Sequence, residues 1–312
     1  MRKNIQIFLL LISVGFSSCG WIGGAERSND SRNTGATGEV FKPKVKNGLP
    51  VRMASYNIRY AAAADEKTGN GWTIRKQPLA DLIRRHGLDV IGTQEGNFKQ
   101  MDELMELLPQ YDYVGYPYAG KASMNHTASI VYKKAQYEVV DHGVFWYSET
   151  PDTASIGWDA TDTRICTWAR MKHKASKREF YFFTSHFYWR YVTAKRNSGA
   201  VMVQKIKEIV KDDLPVISTG DLNSNPSTAQ IKEVKNLLGD AYDLTETPRS
   251  GPTGTGFPGG VFEGNPGSRI DYVFVNDKIQ VLTYAVLMDK YGELGRYPSD
   301  HLPVVCDLLL KK

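Results

Sequence analysis

The 312-residue chain has only three cysteines and no CxxC pair, so it carries no cysteine-based zinc site by spacing and no dense disulfide framework. It has no GxxxxGK[ST] segment, which excludes the phosphate-cradling loop of the P-loop NTPases. No run of five like charges occurs and the net charge of +5 is scattered, which argues against a concentrated nucleic-acid patch. No internal repeat is present, and the one terminal apolar stretch, Ile5 to Phe16, is too short to span a bilayer.

What is present begins with an export-type signal. Arg2 and Lys3 precede the apolar stretch, and small residues then lead to a cysteine in Phe16-Ser17-Ser18-Cys19-Gly20. This resembles the lipobox of bacterial lipoproteins, although Phe16 stands where Leu is usual. The expectation is a signal peptide at 1–18, lipidation of Cys19, and a location at the cell envelope, on the periplasmic or surface side of the outer membrane. Residues 19–48, rich in Gly, Ser, Asn, Thr and Lys, read as a flexible tether, and 49–312 as one catalytic domain. Cys166 and Cys306 lie in apolar, strand-like segments and read as buried thiols rather than a disulfide.

A hydrophobic fraction of 41% is enough for a sizeable core. Periodicity predicts strands at Val51–Asn57, Leu88–Thr93, Ala128–Lys133, Tyr137–Phe145, Arg164–Met171, Glu179–Ser185, Pro215–Thr219, Ile270–Val275, Gln280–Met288 and Pro303–Leu310. It predicts helices around Leu79–His86, with Gly87 as the stop, around Met101–Leu108, and over 195–211. Helices alternate with strands in part and strands run consecutively elsewhere, the pattern of mixed sheets flanked by helices.

Residues of catalytic type fall where these strands start or stop: Asn57, Gln94 and Glu95, His186, Asp221 and Asn223, Asp271, Asp300 and His301. Glu95 and Asn57 offer the hard oxygen ligands that Mg²⁺ prefers, and Mg²⁺ binds through one or two carboxylates plus a substrate phosphate. A histidine can take a proton from water at neutral pH, and a carboxylate on its other nitrogen fixes the tautomer. Taken singly, Glu95 is better explained as a loop acid and His301 as a structural histidine, and Asp221, Asn223 and Asp300 are explicable as turn or cap formers. Asp271 is the exception, because an acid between Ile270 and Tyr272 in a strand needs a partner. His86, His126, His142 and His173 read as structural or surface residues.

Together, Ser-Tyr-Asn57-Ile-Arg, Gln94-Glu95, Ser-His186, Gly-Asp221-Leu-Asn223-Ser, Arg269-Ile-Asp271-Tyr-Val and Ser-Asp300-His301-Leu-Pro-Val resemble, in order and over about 50–310, the motif series of the endonuclease/exonuclease/phosphatase (DNase-I-like) family. The segment from Phe145 to Trp168 resembles secreted bacterial members. The resemblance implies a four-layer α/β sandwich with two central mixed sheets flanked by helices. It implies a phosphoric ester hydrolase using Mg²⁺, or Mn²⁺ in its place, with Glu95 as main metal ligand, Asn57 beside it and Asp300 near the metal. His301, oriented by Asp271, would activate water, although Asp221 could deprotonate it instead. Asp221 and Asn223 would position nucleophile and phosphate, and His186 would hydrogen-bond a phosphoryl oxygen or protonate the leaving group. Arg164 would bind phosphate, with a simple salt bridge an equal reading. Arg59 stands where some nuclease branches carry an acid, which argues against a second metal there. His186 stands where abasic-site nucleases have Tyr.

Nucleic acid, phospholipid and sugar phosphate all remain open as substrate, the membrane contact is through the N-terminal lipid, and no obligate protein partner is implied. A non-catalytic lipoprotein binding module is the alternative to an enzyme. The run Phe187-Tyr188-Trp189-Arg190-Tyr191 fits a base-stacking surface, a lipid-facing surface or a buried plug equally well. The Gly/Pro-rich stretch 251–267 reads as a loop that shapes a pocket.

Overall fold

The computed structural model describes residues 47–120 and 126–312. The signal segment, Cys19 and nearly all of the tether therefore lie outside the described residues. The elements in order are β1 (Gly48–Asn57), α1 (Ala63–Lys67), α2 (Trp72–Arg85), β2 (Val90–Gln94), α3 (Phe98–Leu107), β3 (Tyr111–Pro117), β4 (Thr127–Lys133), β5 (Tyr137–Trp146) and β6 (Ile165–His173). They continue as β7 (Glu179–His186), α4 (Val192–Ile209), β8 (Val216–Asp221), α5 (Ala229–Lys235), β9 (Gly239–Asp240), α6 (Ala241–Leu244), β10 (Asp271–Val275), β11 (Ile279–Val286) and β12 (Val304–Lys311).

Two six-stranded sheets form, in the orders β11-β12-β1-β2-β4-β3 and β5-β6-β7-β8-β10-β9. Each has one parallel pair at its centre, β1 with β2 and β7 with β8, and antiparallel neighbours otherwise. The parallel pairs are crossed over by α1–α2 and by α4, as parallel pairing requires.

Successive strand residues point to opposite faces, so both sheets bury both sides. Met53, Val90 and Ile130 meet Phe182, Ile217 and Val273 between the sheets. Ala54, Ile91 and Val131 face outward against Leu79, Leu82 and Ile83 of α2 and Met101 and Leu104 of α3. Phe183 and Phe274 face outward against Met202 and Ile206 of α4 and Ile231 and Val234 of α5. The result is the four-layer α/β sandwich. Cys166 and Cys306 are buried free thiols in different sheets, and burial pushes the Cys166 thiol up to about 12.

The sequence expectation contains no α1, β9 or α6, and three further elements depart from it. Tyr111–Pro117 is an edge strand whose middle is only half-buried, so it lacks a clear apolar alternation. The short α5 carries its apolar side chains on barely two turns. Helix α4 starts at Val192, three residues before the expected 195, because Asp159 reaches its N-terminus. The Asp159 carboxylate accepts hydrogen bonds from the Thr193 (3.1 Å) and Ala194 (2.7 Å) amides. That cap comes from 34 residues upstream of Thr193, and local sequence rules do not see it.

Near the strand ends that carry the polar motifs, the layer between the sheets turns polar and narrow. Gln94 Nε2 donates to Thr184 Oγ1 across the gap at 2.8 Å. Gly92 is what allows that approach: a Cβ there would sit 2.0 Å from Thr219 Oγ1 and 2.8 Å from Thr184 Oγ1. Gly92→Ala should force the sheets apart and destabilise the fold by about 1–3 kcal/mol. Urea unfolding checks this, and an unchanged midpoint would contradict the packing described.

Candidate functional site

The register of the two parallel pairs assembles the site. Asn57 pairs with Gln94 at the ends of β1 and β2, which puts Glu95 one residue beyond. His186 pairs with Asp221 at the ends of β7 and β8. Asp271, the first residue of β10, is directly opposite Asp221. Asp300 and His301 lie just before β12, which runs antiparallel to β1 and so starts at the same edge. Four C-terminal strand ends and two N-terminal ones therefore open onto one cleft of about 1120 Å³. Glu95, Arg164, His186, Asp221, Asn223, Asp300 and His301 line it, while Asn57 and Asp271 are buried. The 251–267 loop contributes Gly256 to Gly260 to the opposite wall.

Asn57 is the hub. Its Nδ2 donates to Glu95 Oε1 (3.0 Å) and to Asp221 Oδ2 (3.0 Å), joining a carboxylate from each sheet. Its Oδ1 accepts the Arg59 amide (3.0 Å) and its main-chain oxygen accepts Ser299 Oγ–H (2.7 Å), which ties in the turn before His301. Arg59, Glu95 and Asn223 all have positive φ, at 57°, 71° and 45°. For Arg and Glu this is an uncommon conformation, held by these hydrogen bonds and concentrated around the cleft. Asn223 does form a turn, its amide donating to Asp221 Oδ1 (2.9 Å) and its Nδ2 to the Phe187 carbonyl (3.1 Å).

His301 and Asp271 form the second unit. Nδ1 of His301 lies 2.8 Å from Asp271 Oδ2, and Nε2 lies 3.7 Å from Asp221 Oδ2. Burial alone would lower the His301 pKa, but Asp271, Asp221 and Asp300 together outweigh it and hold the ring well above the usual imidazole range. Burial, reinforced by Asp271, pushes Asp221 up to about 7 against the opposing charge of His301. Burial would raise Glu95, yet the Asn57 hydrogen bond and the charges of His301, His126 and Arg59 keep it lowered.

His186 behaves oppositely. Burial, Arg164, His126 and His301 drive its pKa well below the usual range, so its ring is neutral. Its Nδ1 is 2.6 Å from the Tyr118 hydroxyl and 3.2 Å from Arg164 Nη1, and its Nε2 is 3.4 Å from Asp221. Arg164 also lies 3.0 Å from Asp162 through Nε, so it faces the cleft and makes a salt bridge at once.

Two clusters have donor atoms within 4.8 Å of one another: Glu95, His186 and Asp221, and Asp221, Asp271 and His301. The first supplies two carboxylates at the cleft and suits a hard divalent cation. The second is closed by the His301–Asp271 hydrogen bond and reads as a proton-handling unit. Asp300 belongs to neither. Its Oδ2 is 3.2 Å from Arg59 Nη1, because Arg59 fills the space beside it and also bonds Asp65 (3.0 Å). Asn57 turns its amide nitrogen, not its oxygen, toward Glu95.

Sequence reasoning missed several cleft residues. His126, read as structural or surface, lines the cleft with its ring 4.3 Å from that of Tyr60. Tyr118 follows the unrecognised strand β3 and belongs to no motif. Arg75 of α2 is fully buried and has no carboxylate partner among the described residues. Its guanidinium donates to five carbonyls, those of Asn70, Ile58, Pro298, Arg59 and Tyr60, and so pins the Arg59 loop to the turn before Asp300. A Trp-x-x-Arg pair in a helix gives no hint of this.

Residues 54–301 match the Endonuclease/Exonuclease/phosphatase family. The mannosyl-6-phosphatase of Bacteroides thetaiotaomicron VPI-5482 is 36% identical, with a TM-score of 0.78 over 83% of this chain and 99% of that one. An uncharacterised protein of Acanthamoeba polyphaga mimivirus, L388, is 28% identical over 251 residues, 75% of this chain and 91% of its own. The human Nocturnin catalytic domain, at 20% identity and a TM-score of 0.65 over 83% of this chain and 93% of that one, shares the fold. This protein belongs to the Endonuclease/Exonuclease/phosphatase family.

The opposite shifts of the two histidines are directly measurable. In the metal-free protein at pH 6.5, the usual midpoint, His301 should be protonated and His186 neutral. Histidine ring NMR of the wild type against His186→Gln and His301→Gln assigns the signals. Finding both rings in the same protonation state at that pH would overturn the electrostatic description.

Proposed function

We propose that the protein hydrolyses a phosphate ester with the aid of a divalent cation, Mg²⁺ or Mn²⁺, using water activated by the His301–Asp271 pair. The observation that carries this reading is the convergence of Glu95, Asp221, Asp271, His186 and His301 on one cleft, with Asp271 holding His301 at 2.8 Å. Glu95 and Asp221 are the residues to hold the cation. When bound, it supplies charge that neutralises phosphoryl oxygens and lowers the proton affinity of the groups around it.

The chain's own groups divide the remaining work. In the cation-loaded protein, where the added positive charge would leave the His301 ring neutral, Asp271 fixes its tautomer, so that Nε2 faces the cleft and is the atom that takes the proton of the attacking water. Asp221, 3.7 Å away, stabilises the resulting imidazolium. The reversed order, with Asp221 taking the proton first, uses the same atoms. Neutral His186 and cationic Arg164, 3.2 Å apart, form a donor pair for a phosphoryl oxygen. The likeness to a mannosyl-6-phosphatase supports an ester hydrolase and brings a sugar phosphate forward among the candidate substrates. Complete convergence of the motif residues supports an enzyme over a binding module.

Release of nitrophenol from mono- and bis-nitrophenyl phosphate, with and without EDTA, tests the reading. Activity should vanish with EDTA and return with Mg²⁺ or Mn²⁺. His301→Ala should lower turnover by about 10²–10⁴-fold while calorimetry still detects metal binding. Glu95→Gln should instead weaken metal binding. Wild-type turnover in His301→Ala would remove the mechanism.

We further propose that residues 1–18 are cleaved and that lipid on Cys19 anchors the 49–312 domain through the 19–48 tether at the cell envelope. The small residues preceding Cys19 support this. Cys19→Ser should move the protein from the membrane fraction to the soluble fraction. Mass spectrometry of the wild-type N-terminus should find acyl chains, and an unmodified Cys19 would exclude the anchor.

A further inference from the structure

The aromatic run after His186 splits in two. Phe187 and Tyr188 are buried, whereas Trp189 is 56% exposed and lines the cleft. A bare indole beside a polar site loses the stabilisation of burial, so it marks a contact surface. Its backbone is held, with Lys195 Nζ 3.5 Å from the Trp189 carbonyl, and the Arg190 guanidinium is 5.9 Å from its ring centre. The neighbouring Tyr188 ring is 6.5 Å from the indole, and the Tyr188 hydroxyl is 3.0 Å from Thr161 Oγ1. Thr161 is followed by Asp162, whose half-exposed carboxylate meets Arg164, which in turn meets His186. An indole, a hydroxyl and a carboxylate thus line the same cleft as the donor pair assigned to the phosphate, the carboxylate in direct contact with Arg164.

The cations of the cleft narrow the ligand further. Among its described lining residues the only Lys or Arg are Arg59 and Arg164. Arg59 is neutralised by Asp65 and Asp300, and Arg164 is shared with Asp162. Among the described lining residues no further Lys or Arg stands free for a second phosphate of the kind a nucleic-acid backbone presents, and Lys195, beside Asn223, and Arg190, beside Trp189, lie outside that lining. The carboxylate of Asp162, half-exposed although paired with Arg164, keeps lone pairs that accept hydrogen bonds from hydroxyls. An uncharged ring with an apolar C–H face and hydroxyls on its edge matches both features.

We propose that Trp189, Thr161 and Asp162 form the leaving-group subsite and that the leaving group is a single uncharged sugar ring, its C–H face on the indole and its hydroxyls on Asp162. The proposal rests on the ester-hydrolase reading of the same cleft.

The test uses the full chain with Mg²⁺ and compares mannose 6-phosphate, glucose 6-phosphate, phenyl phosphate, thymidine 5′-monophosphate and a short single-stranded oligonucleotide. Wild-type kcat/KM should be highest for a hexose 6-phosphate. Trp189→Ala should lower the ratio of hexose-phosphate to phenyl-phosphate kcat/KM by about tenfold, Trp189→Phe should retain most of it, and Asp162→Asn should lower it comparably. Calorimetry of hexose 6-phosphate binding, with and without metal, should show the same loss in Trp189→Ala independently of turnover. Thermal melting distinguishes a lost subsite from a lost fold. Phenyl phosphate turnover with that ratio within twofold of wild type, or a wild-type preference for the nucleotide or oligonucleotide, overturns the subsite and leaves the hydrolase standing. No turnover of any ester, combined with Trp189-dependent hexose-phosphate binding, overturns the hydrolase and leaves the subsite.

Discussion

The Asn57 amide bridges Glu95 of one sheet and Asp221 of the other, at 3.0 Å to each. That bridge requires the two sheets to meet closely at one edge, and Gly92 provides the room just behind it. The same constraint explains the polar layer of Thr184, Thr219 and Gln94 between otherwise apolar sheets: where backbones approach this closely, small hydroxyl side chains and one amide fit, and the two hydroxyls and the amide nitrogen find partners. Farther from the edge, larger apolar side chains fill the gap and supply the stability that a polar layer does not.

Charge follows from geometry. Strand ends bring Glu95, Asp221, Asp271 and Asp300 close together, and burial strips them of water. Each acid then needs a compensating group. Asp271 has His301, and Asp300 has Arg59. Glu95 and Asp221 have chiefly the Asn57 amide and neighbouring positive charge, which leaves Asp221 pushed up to about 7. Glu95 stays lowered while Asp221 is raised, and the two carboxylates open onto the same cleft, where a cation would find both. The same logic separates the two histidines: one faces three acids and gains a proton, the other faces a guanidinium and stays neutral.

The supporting structure is less conspicuous than the site. Arg75 holds five carbonyls in three loops, Asp159 caps α4 from a distant loop, and Tyr118 orients His186. None of these residues belongs to a recognisable motif. Their roles depend on where the chain returns in space, which periodicity does not encode.

Sequence alone determined the alternation of buried faces, because strand and helix periods are properties of neighbouring residues. It also determined that polar motifs stand at strand ends, and their order carried the resemblance to a family. Local patterns reach no further than that, so His126 reads as a structural or surface residue and Tyr111–Pro117 as no strand. Tertiary structure decided which motif residues face one another: that Asp271 meets His301, that Arg59 takes Asp300, and that Trp189 is bare while Tyr188 beside it is buried. Those outcomes depend on the register between strands and the distance between two sheets, quantities set by packing over the whole chain rather than by any local run of residues.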